Sequence, residues 1–401
     1  MDIKIKIDRK SVIACLFFSL LVIANSTIAD RCGIISACEG IAYLFLFTII
    51  LLRIHGKKVY LIHHFFIVFV LFSVGLGLQN MNFATKVKLL FTMWTIGFIV
   101  YMGGRVFNRI EVFRSTAYAI LFISIMIMVL SVVLGINMIG ISEDYASNYS
   151  SIAFNGGIVV KNFFASTMLS SFIGIYIFRV YGKKYKRDFI TLIILLTFIM
   201  LSGSRGTWVL LAFFILIANS LKIAQICKDK RIRHILIGML ICFLLYMFYV
   251  FYNNYVVNSY TYSLRLKGFL NYWNLVKDNL YYLFFGYADH MYVSGIDYNI
   301  MFKTIFGKDS STEIAYLNIL IKSGLCGMIG FVIIFIDYFK QIKVLDEKTK
   351  NIGLAILFSL TLSGFVETYL VSIHLVYGVY CYFILSGLCE MNKLNNKAME
   401  E

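Results

Sequence analysis

Two arginines stand out because each lies beside apolar runs long enough to cross a membrane. Arg205 lies in the tight turn 202–207 (SGSRGT), and Arg265 lies in a long segment between apolar runs. A guanidinium at a membrane edge is costly, and an anion that accepts two hydrogen bonds at once offsets that cost. Two such arginines acting on one anion indicate a binding site for a phosphorylated ligand, with Ser204 as a further donor.

Both arginines also have a plainer interpretation. Arg205 fits a side chain that reaches from a tight turn to the interface, and Arg265 fits one that faces lipid headgroups. Lys161 and Lys267 are weaker candidates for the same anion. The residue types alone do not choose between these interpretations.

Glu313 is the acidic candidate, where the long segment meets the next apolar run. A carboxylate there can act as a general base on a hydroxyl. The spacing Ser310-x-x-Glu313 also fits a helix capping box. His290 and Asp289 are alternative bases. Glu39 and Glu367, which lie near the outer ends of spans, are candidates to line the same cavity as these groups.

Composition sets the class of protein in which these residues act. The 401 residues are 60% apolar and 14% charged, which excludes a soluble globular protein and a disordered one. We expect an all-α membrane protein with about twelve transmembrane helices. The apolar runs lie near 11–29, 34–52, 61–78, 87–103, 115–136, 162–180, 188–203, 207–221, 233–252, 313–336, 352–370 and 373–389.

The charge distribution predicts the orientation in the membrane. The chain carries 37 Lys and Arg against 21 Asp and Glu, a formal charge of +16. Most of the basic residues fall in the segments that lie inside if the amino terminus is inside. Both termini are therefore predicted to be cytoplasmic, and the positive charge needs no nucleic acid partner.

The chain divides into helices 1–9 (1–252), a large outer loop (253–312) and helices 10–12 with a short tail (313–401). Within the loop, apolar residues recur at helical spacing and predict a helix near 264–284 along the membrane face. Trp273 and many tyrosines there suit sugar rings or an interfacial aromatic belt. Gly324, Gly327 and Gly330 predict a smooth strip for close helix contact. Lys322, an unusual charge within a span, is expected to reach outward to the interface or into a cavity.

The order of four short motifs resembles the O-antigen polymerase and O-antigen ligase superfamily of bacterial envelope glycan enzymes. The motifs occupy 161–165 (KNFFA, with Asn162 second), 202–206 (SGSRG), the loop from Arg265 through Trp273 to 286–287 (GY), and 316–327 (YLNILIKSGLCG). Together they lie in residues 161–330, and the twelve-span topology extends the likeness over the whole chain.

This resemblance implies a metal-independent, inverting glycosyltransferase of the bacterial inner membrane, with its site facing the periplasm and no cofactor. The donor would be a glycan on undecaprenyl diphosphate, held by Arg205 and Arg265. Expected partners are this lipid-linked oligosaccharide, membrane lipid, a chain-length regulator and a flippase. The superfamily's ligases commonly carry His-Asn where this chain has Glu313 and Ile314. This difference favours a polymerase of lipopolysaccharide O-antigen over a ligase acting on the lipid A core.

A lipid-linked oligosaccharide flippase is the alternative from another class. It too would have about twelve spans and charged residues in a cavity. It would not need an outer loop of about sixty residues, and its charges would be spread through the spans. The chain also lacks proline, which weighs against the kinked helices of transporters.

Overall fold

The structure of the protein is a computed structural model. It describes residues 9–54, 70–71, 73–75, 78, 82–99, 103–144, 149–181, 184–220, 249, 260–288, 303–307 and 312–400.

The described part of the chain is mostly helical. Its helices are α1 (Arg9–Ala24), α2 (Thr27–Arg31), α3 (Ile35–Ile54), α4 (Phe83–Phe98), α5 (Gly104–Val106), α6 (Ile110–Val133), α7 (Lys161–Tyr181), α8 (Lys186–Leu201), α9 (Arg205–Ala218), α10 (Tyr260–Val276), α11 (Leu280–Phe285), α12 (Ala315–Lys343), α13 (Glu347–Val366) and α14 (Val376–Glu400). A short 3₁₀ turn, Thr368–Leu370, joins α13 to the segment before α14.

Four of the described helices, α6, α7, α12 and α13, are long and apolar enough to cross a membrane. Shorter apolar stretches lie in α1, α3, α9 and α14. The expectation of a helical membrane protein is confirmed at that level. The number of spans and their orientation stay predictions, because the predicted spans 61–78 and 233–252 lie mostly outside the described residues.

Large apolar side chains on the outer surface fit a lipid environment. On α6, Phe122, Val129 and Val133 are more than half exposed, and on α8 Phe189 and Ile193 are about half exposed. A soluble protein rarely shows contiguous apolar patches of this extent. In a bilayer these faces would contact acyl chains.

The core surrounds α14, which is buried on all sides along its first four turns. Tyr377 and Tyr380 are fully buried, and each hydroxyl has a hydrogen-bond partner. The Tyr380 hydroxyl donates to the carbonyl of Phe113 over 2.7 Å, and the Tyr377 hydroxyl lies 2.7 Å from that of Ser359. These bonds tie α14 to α6 and α13 without leaving a polar atom unsatisfied.

One local element departs from the all-helical expectation. Strands β1 (Ile139–Asp144) and β2 (Tyr149–Phe154) form an antiparallel pair in the segment between α6 and α7. The register pairs Ile139 with Phe154. Phe154 also contacts Phe164 edge to face, with ring centroids 5.3 Å apart, so the strand pair is anchored on α7.

The predicted helix near 264–284 is two helices, α10 and α11. The helix is interrupted before Asn279. The Asn279 side chain accepts a hydrogen bond from the backbone N–H of Tyr281 and so caps α11. On α10 the apolar Leu266, Leu270 and Trp273 are more than half exposed. The opposite face, with Arg265 and Tyr272, is buried against the protein. The apolar face is therefore available to lipid, while the arginine points inward.

The predicted smooth glycine strip on α12 is wrong at Gly324, where the helix breaks. Gly324 has φ 57° and ψ −153°, a backbone conformation that residues with a Cβ rarely adopt. The freed carbonyl of Ile321 accepts a hydrogen bond from Tyr287 N over 2.8 Å. That of Leu320 accepts one from the Tyr272 hydroxyl over 3.0 Å. A helix break therefore arises here without proline.

We expect Gly324→Ala to destabilise the protein by about 1–3 kcal/mol or more. The new Cβ would take up a strained backbone conformation and would lie 2.7 Å from the backbone nitrogen of Gly286. Gly40→Ala is the control, because that position is helical, exposed and open within 4 Å. It should be neutral or slightly stabilising. Thermal unfolding of the purified protein, followed by tryptophan fluorescence, checks both; equal midpoints for the two variants would contradict the strained break.

Candidate active site

A buried arginine contacting two carboxylates forms the centre of the candidate site. Arg265 is 4% exposed on the inward face of α10. Its Nη2 donates to Oε2 of Glu313 over 2.5 Å and to Oε1 of Glu367 over 3.2 Å. Three segments far apart in sequence meet at this guanidinium. The alternative in which Arg265 faces lipid headgroups is therefore wrong.

Glu367 is the buried carboxylate of this cluster. It follows α13 directly, and its backbone N–H donates to the carbonyl of Ser363 over 2.9 Å. Its Oε1 also accepts a hydrogen bond from Nδ2 of Asn162 over 2.7 Å. Burial raises the pKa of the Glu367 carboxyl to about 7, while Arg265 and Asn162 both favour its charged form. This carboxyl therefore changes charge near neutral pH.

Asn162 holds the site from the side of α7. It is the second residue of that helix, after the partly buried Lys161. Besides the bond to Glu367, its backbone carbonyl accepts a hydrogen bond from the Tyr369 hydroxyl over 2.9 Å. The first turn of α7 is thus fixed to the turn between α13 and α14.

Arg205 approaches the same turn by its position in the chain. It begins α9 after Ser204, and Gly203 (φ 65°) makes the tight turn before it. Gly206 packs so closely on Val366 that a Cβ would collide with that side chain. Because Val366 precedes Glu367, the start of α9 lies beside the Arg265 cluster. Both predicted arginines therefore lie near the end of α13. The Arg265 side chain binds Glu367, and Gly206, which follows Arg205, packs on Val366.

Ser204 is buried at the start of α9. Its hydroxyl lies 3.0 Å from that of Thr207, and its exposed fraction is 3%. The contact supports the first turn of the helix that carries Arg205. A role for Ser204 as a ligand donor stays a prediction.

Glu313 does not hold the position that the capping-box interpretation required. Helix α12 begins at Ala315 with Ile314 as its N-cap, and no side chain caps it. Glu313 therefore precedes the cap instead of lying in the first turn, and Ser310 falls outside the described residues. The carboxylate instead binds Arg265, and its side chain is 53% exposed.

The other predicted site residues lie elsewhere on the described helices or outside the described ranges. Lys267 and Trp273 lie on exposed faces of α10. Lys322 is partly buried on α12, two residues before the break at Gly324. His290 and Asp289 lie outside the described residues. Within the described ranges, no three His, Cys, Asp or Glu side chains are grouped so as to hold a metal ion.

Glu367 is the residue whose importance the sequence reasoning missed. The sequence predicts it, with Glu39, only as a residue that lines the cavity, and not as a catalytic or binding residue. The signal was its place directly after the apolar run of α13, where an unpaired carboxylate would be costly. The sequence does not reveal that its partners are Arg265 and Asn162, each more than 100 positions away in the chain.

Two comparisons with known proteins found no match. No family model matches the chain, and no match is found among curated proteins. The superfamily resemblance drawn from the motifs therefore stays a prediction.

Proposed function

We propose that the chain is a polysaccharide polymerase that transfers a growing glycan from undecaprenyl diphosphate to a lipid-linked repeat unit. The observation that carries the proposal is the buried Arg265 between Glu313 and Glu367, beside the start of the helix that Arg205 opens. A guanidinium and a carboxylate with a pKa near neutrality are the groups that this reaction needs.

The arginines would hold the diphosphate of the donor. A guanidinium binds two phosphate oxygens in a planar, bidentate way that an ammonium group does not match. The diphosphate leaves as an anion, so donors aimed at it stabilise the charge that develops on its oxygen. Such a leaving group needs no proton from an acid.

Glu313 makes room for that anion. Its side chain is half exposed, whereas that of Arg265 is 5% exposed. The diphosphate would replace Glu313 on the guanidinium. Because the Glu313 carboxylate would move away as the diphosphate binds, the negative charge near Glu367 would increase by less than the charge of the diphosphate. The proposal thus accounts for an arginine that is already paired before substrate binds.

We further propose that the site faces the periplasm of a bacterial inner membrane, in a bundle of about twelve spans. The support is the excess of Lys and Arg in the predicted inner segments. The exposed apolar face of α10 would lie in the outer interface, where the lipid-linked donor enters.

The first test separates the polymerase from its alternatives. Deleting the gene in its host should leave the lipid A core capped by a single repeat unit on a gel of surface polysaccharide. Bare core with long chains still on the lipid carrier would instead identify a ligase. Bare core without long chains would identify a flippase, and an unchanged ladder would contradict all three.

The second test concerns Arg265. Arg265→Lys keeps a charge for Glu313 and Glu367 but loses the bidentate fork, so we expect chain growth to fall by about 100-fold or more. Arg265→Ala would leave two carboxylates unpaired and is the poorer test, because loss of a buried partner destabilises by about 3–5 kcal/mol. The deletion strain carrying each variant at equal protein level gives the measurement.

Arg105→Lys is the matched control for that experiment. Arg105 is also buried (8% exposed) and pairs with a glutamate, Glu390, over 3.6 Å. Glu390 lies more than three turns along α14 from the end that is near the candidate site, so the Arg105 variant should give a normal ladder. A normal ladder from both Arg265→Lys and Arg205→Lys would remove the diphosphate role.

The third test concerns orientation. Alkaline phosphatase fused after Lys277 should be active, because that enzyme folds only outside the cytoplasm, and a fusion after Asp346 should be inactive. The opposite pattern would place the Arg265 cluster on the cytoplasmic side and contradict the proposed periplasmic site.

A further inference from the structure

We propose that Glu367, and not Glu313, is the base that deprotonates the acceptor hydroxyl, and that Asn162 is the positioning residue that aims it. This assignment rests on the glycosyl transfer proposed above. It concerns a residue that the motif resemblance does not include.

The two carboxylates on Arg265 lie in different environments. The Glu313 side chain is 53% exposed and that of Glu367 is 9% exposed. A buried carboxylate gains from accepting a proton, because burial disfavours its charged form. Glu313 therefore suits the counter-ion that the diphosphate displaces, and Glu367 suits proton transfer.

The hydrogen bonds of Glu367 leave one oxygen available. Oε1 accepts from Nδ2 of Asn162 at 2.7 Å and from Arg265 at 3.2 Å. Within the described part of the chain, Oε2 accepts no hydrogen bond. A carboxylate held by two donors on one oxygen presents the other in a fixed direction, which is the geometry that a general base requires.

The backbone around Glu367 is fixed on both sides. Its own N–H bonds to Ser363, and two residues later Tyr369 bonds to the backbone carbonyl of Asn162. Asn162 thus binds the side chain of Glu367 and, through Tyr369, the turn that carries it. A base held this rigidly needs little rearrangement before the reaction.

The charge state of Glu367 suits the reaction. A base acts best when its pKa lies near the working pH, and burial raises the pKa of Glu367 to about 7. The charged groups that act on it are Arg265 on α10 and Glu313 before α12. Two further cations are chain neighbours of residues that contact this segment: Lys161 precedes Asn162, and Arg205 precedes Gly206. Because the Asn162 amide favours the charged carboxylate, its removal should raise the pKa of Glu367 further.

The proposed reaction transfers one proton and one glycosyl group. The acceptor hydroxyl gives its proton to Oε2 of Glu367 while its oxygen forms a bond to the anomeric carbon of the donor glycan. The bond from that carbon to the diphosphate oxygen breaks, and its electron pair leaves with undecaprenyl diphosphate. Water then takes the proton from Glu367.

The test uses the full-length protein in lipid vesicles, with lipid-linked glycan extracted from the deletion strain as donor and acceptor. Chain growth is measured on gels from about pH 5.5 to about pH 9. We expect Glu367→Gln to lower the rate by about 100-fold or more. We expect Asn162→Ala to move the acid limb of the pH profile upward by about half a pH unit or more.

Glu390→Gln is the matched control, since Glu390 also pairs with a buried arginine, at 3.6 Å from Arg105, and should leave the profile unchanged. The assignment is overturned if Glu367→Gln keeps more than about a tenth of the wild-type rate. It is also overturned if the acid limb of Asn162→Ala stays where the wild-type limb lies, a readout that still decides if Glu367→Gln fails to fold. Wild-type protein that extends no extracted glycan at any pH would refute the polymerase itself, and the base assignment with it.

Discussion

The geometry of the candidate site depends on the buried ion pair between Arg265 and Glu367. Removing two charges from water costs several kcal/mol for each ion, and their attraction offsets the cost only if further hydrogen bonds complete the pair. Asn162 and Glu313 provide those bonds here. The starts of α7 and α12, the inward face of α10 and the end of α13 must therefore meet at one point, or a charge is left unpaired in an apolar interior.

Arg265 points inward because α10 exposes its apolar face and buries the face that carries the arginine. A surface helix of a soluble protein buries its apolar face, but α10 exposes Leu266, Leu270 and Trp273 and buries Arg265. Lipid on the outer side explains the inversion, because acyl chains cover apolar side chains as well as protein does. The break at Gly324 helps to hold α10 against α12. The Leu320 carbonyl that it frees accepts a hydrogen bond from the Tyr272 hydroxyl of α10.

Sequence alone predicted the features that depend on local composition. Helices α6, α7, α12 and α13 overlap their predicted runs, because continuous apolarity over about 20 residues has few other solutions in lipid. The largest difference is at the end of α12, which runs to Lys343 where the predicted run ends at 336. The sequence predicts Arg265 as a site residue because a guanidinium can bind a phosphate, and Glu313 because a carboxylate at the membrane edge can act as a general base. In the structure, Nη2 of Arg265 lies 2.5 Å from Oε2 of Glu313.

What sequence could not predict depends on contacts between distant segments. The break at Gly324 needs Tyr287 to take up a freed carbonyl, and the importance of Glu367 needs Asn162 and Arg265. The Ser310 capping box failed because α12 begins two residues beyond Glu313. Each of these outcomes was decided by a partner that spacing within one segment does not reveal.

The full burial of α14 has a consequence for how the protein is made. This helix follows every other described helix in the chain, yet it occupies the centre of the bundle against α5, α7 and α13. During synthesis the earlier helices must enter the bilayer with that central place unfilled. Since Glu367 follows α13 and lies nine residues before Val376, the ribosome must make helices α1 to α13 before the carboxylate can reach Arg265. Assembly of the site is therefore a late event, and a nascent chain stalled before α13 would carry the arginine without its buried partner.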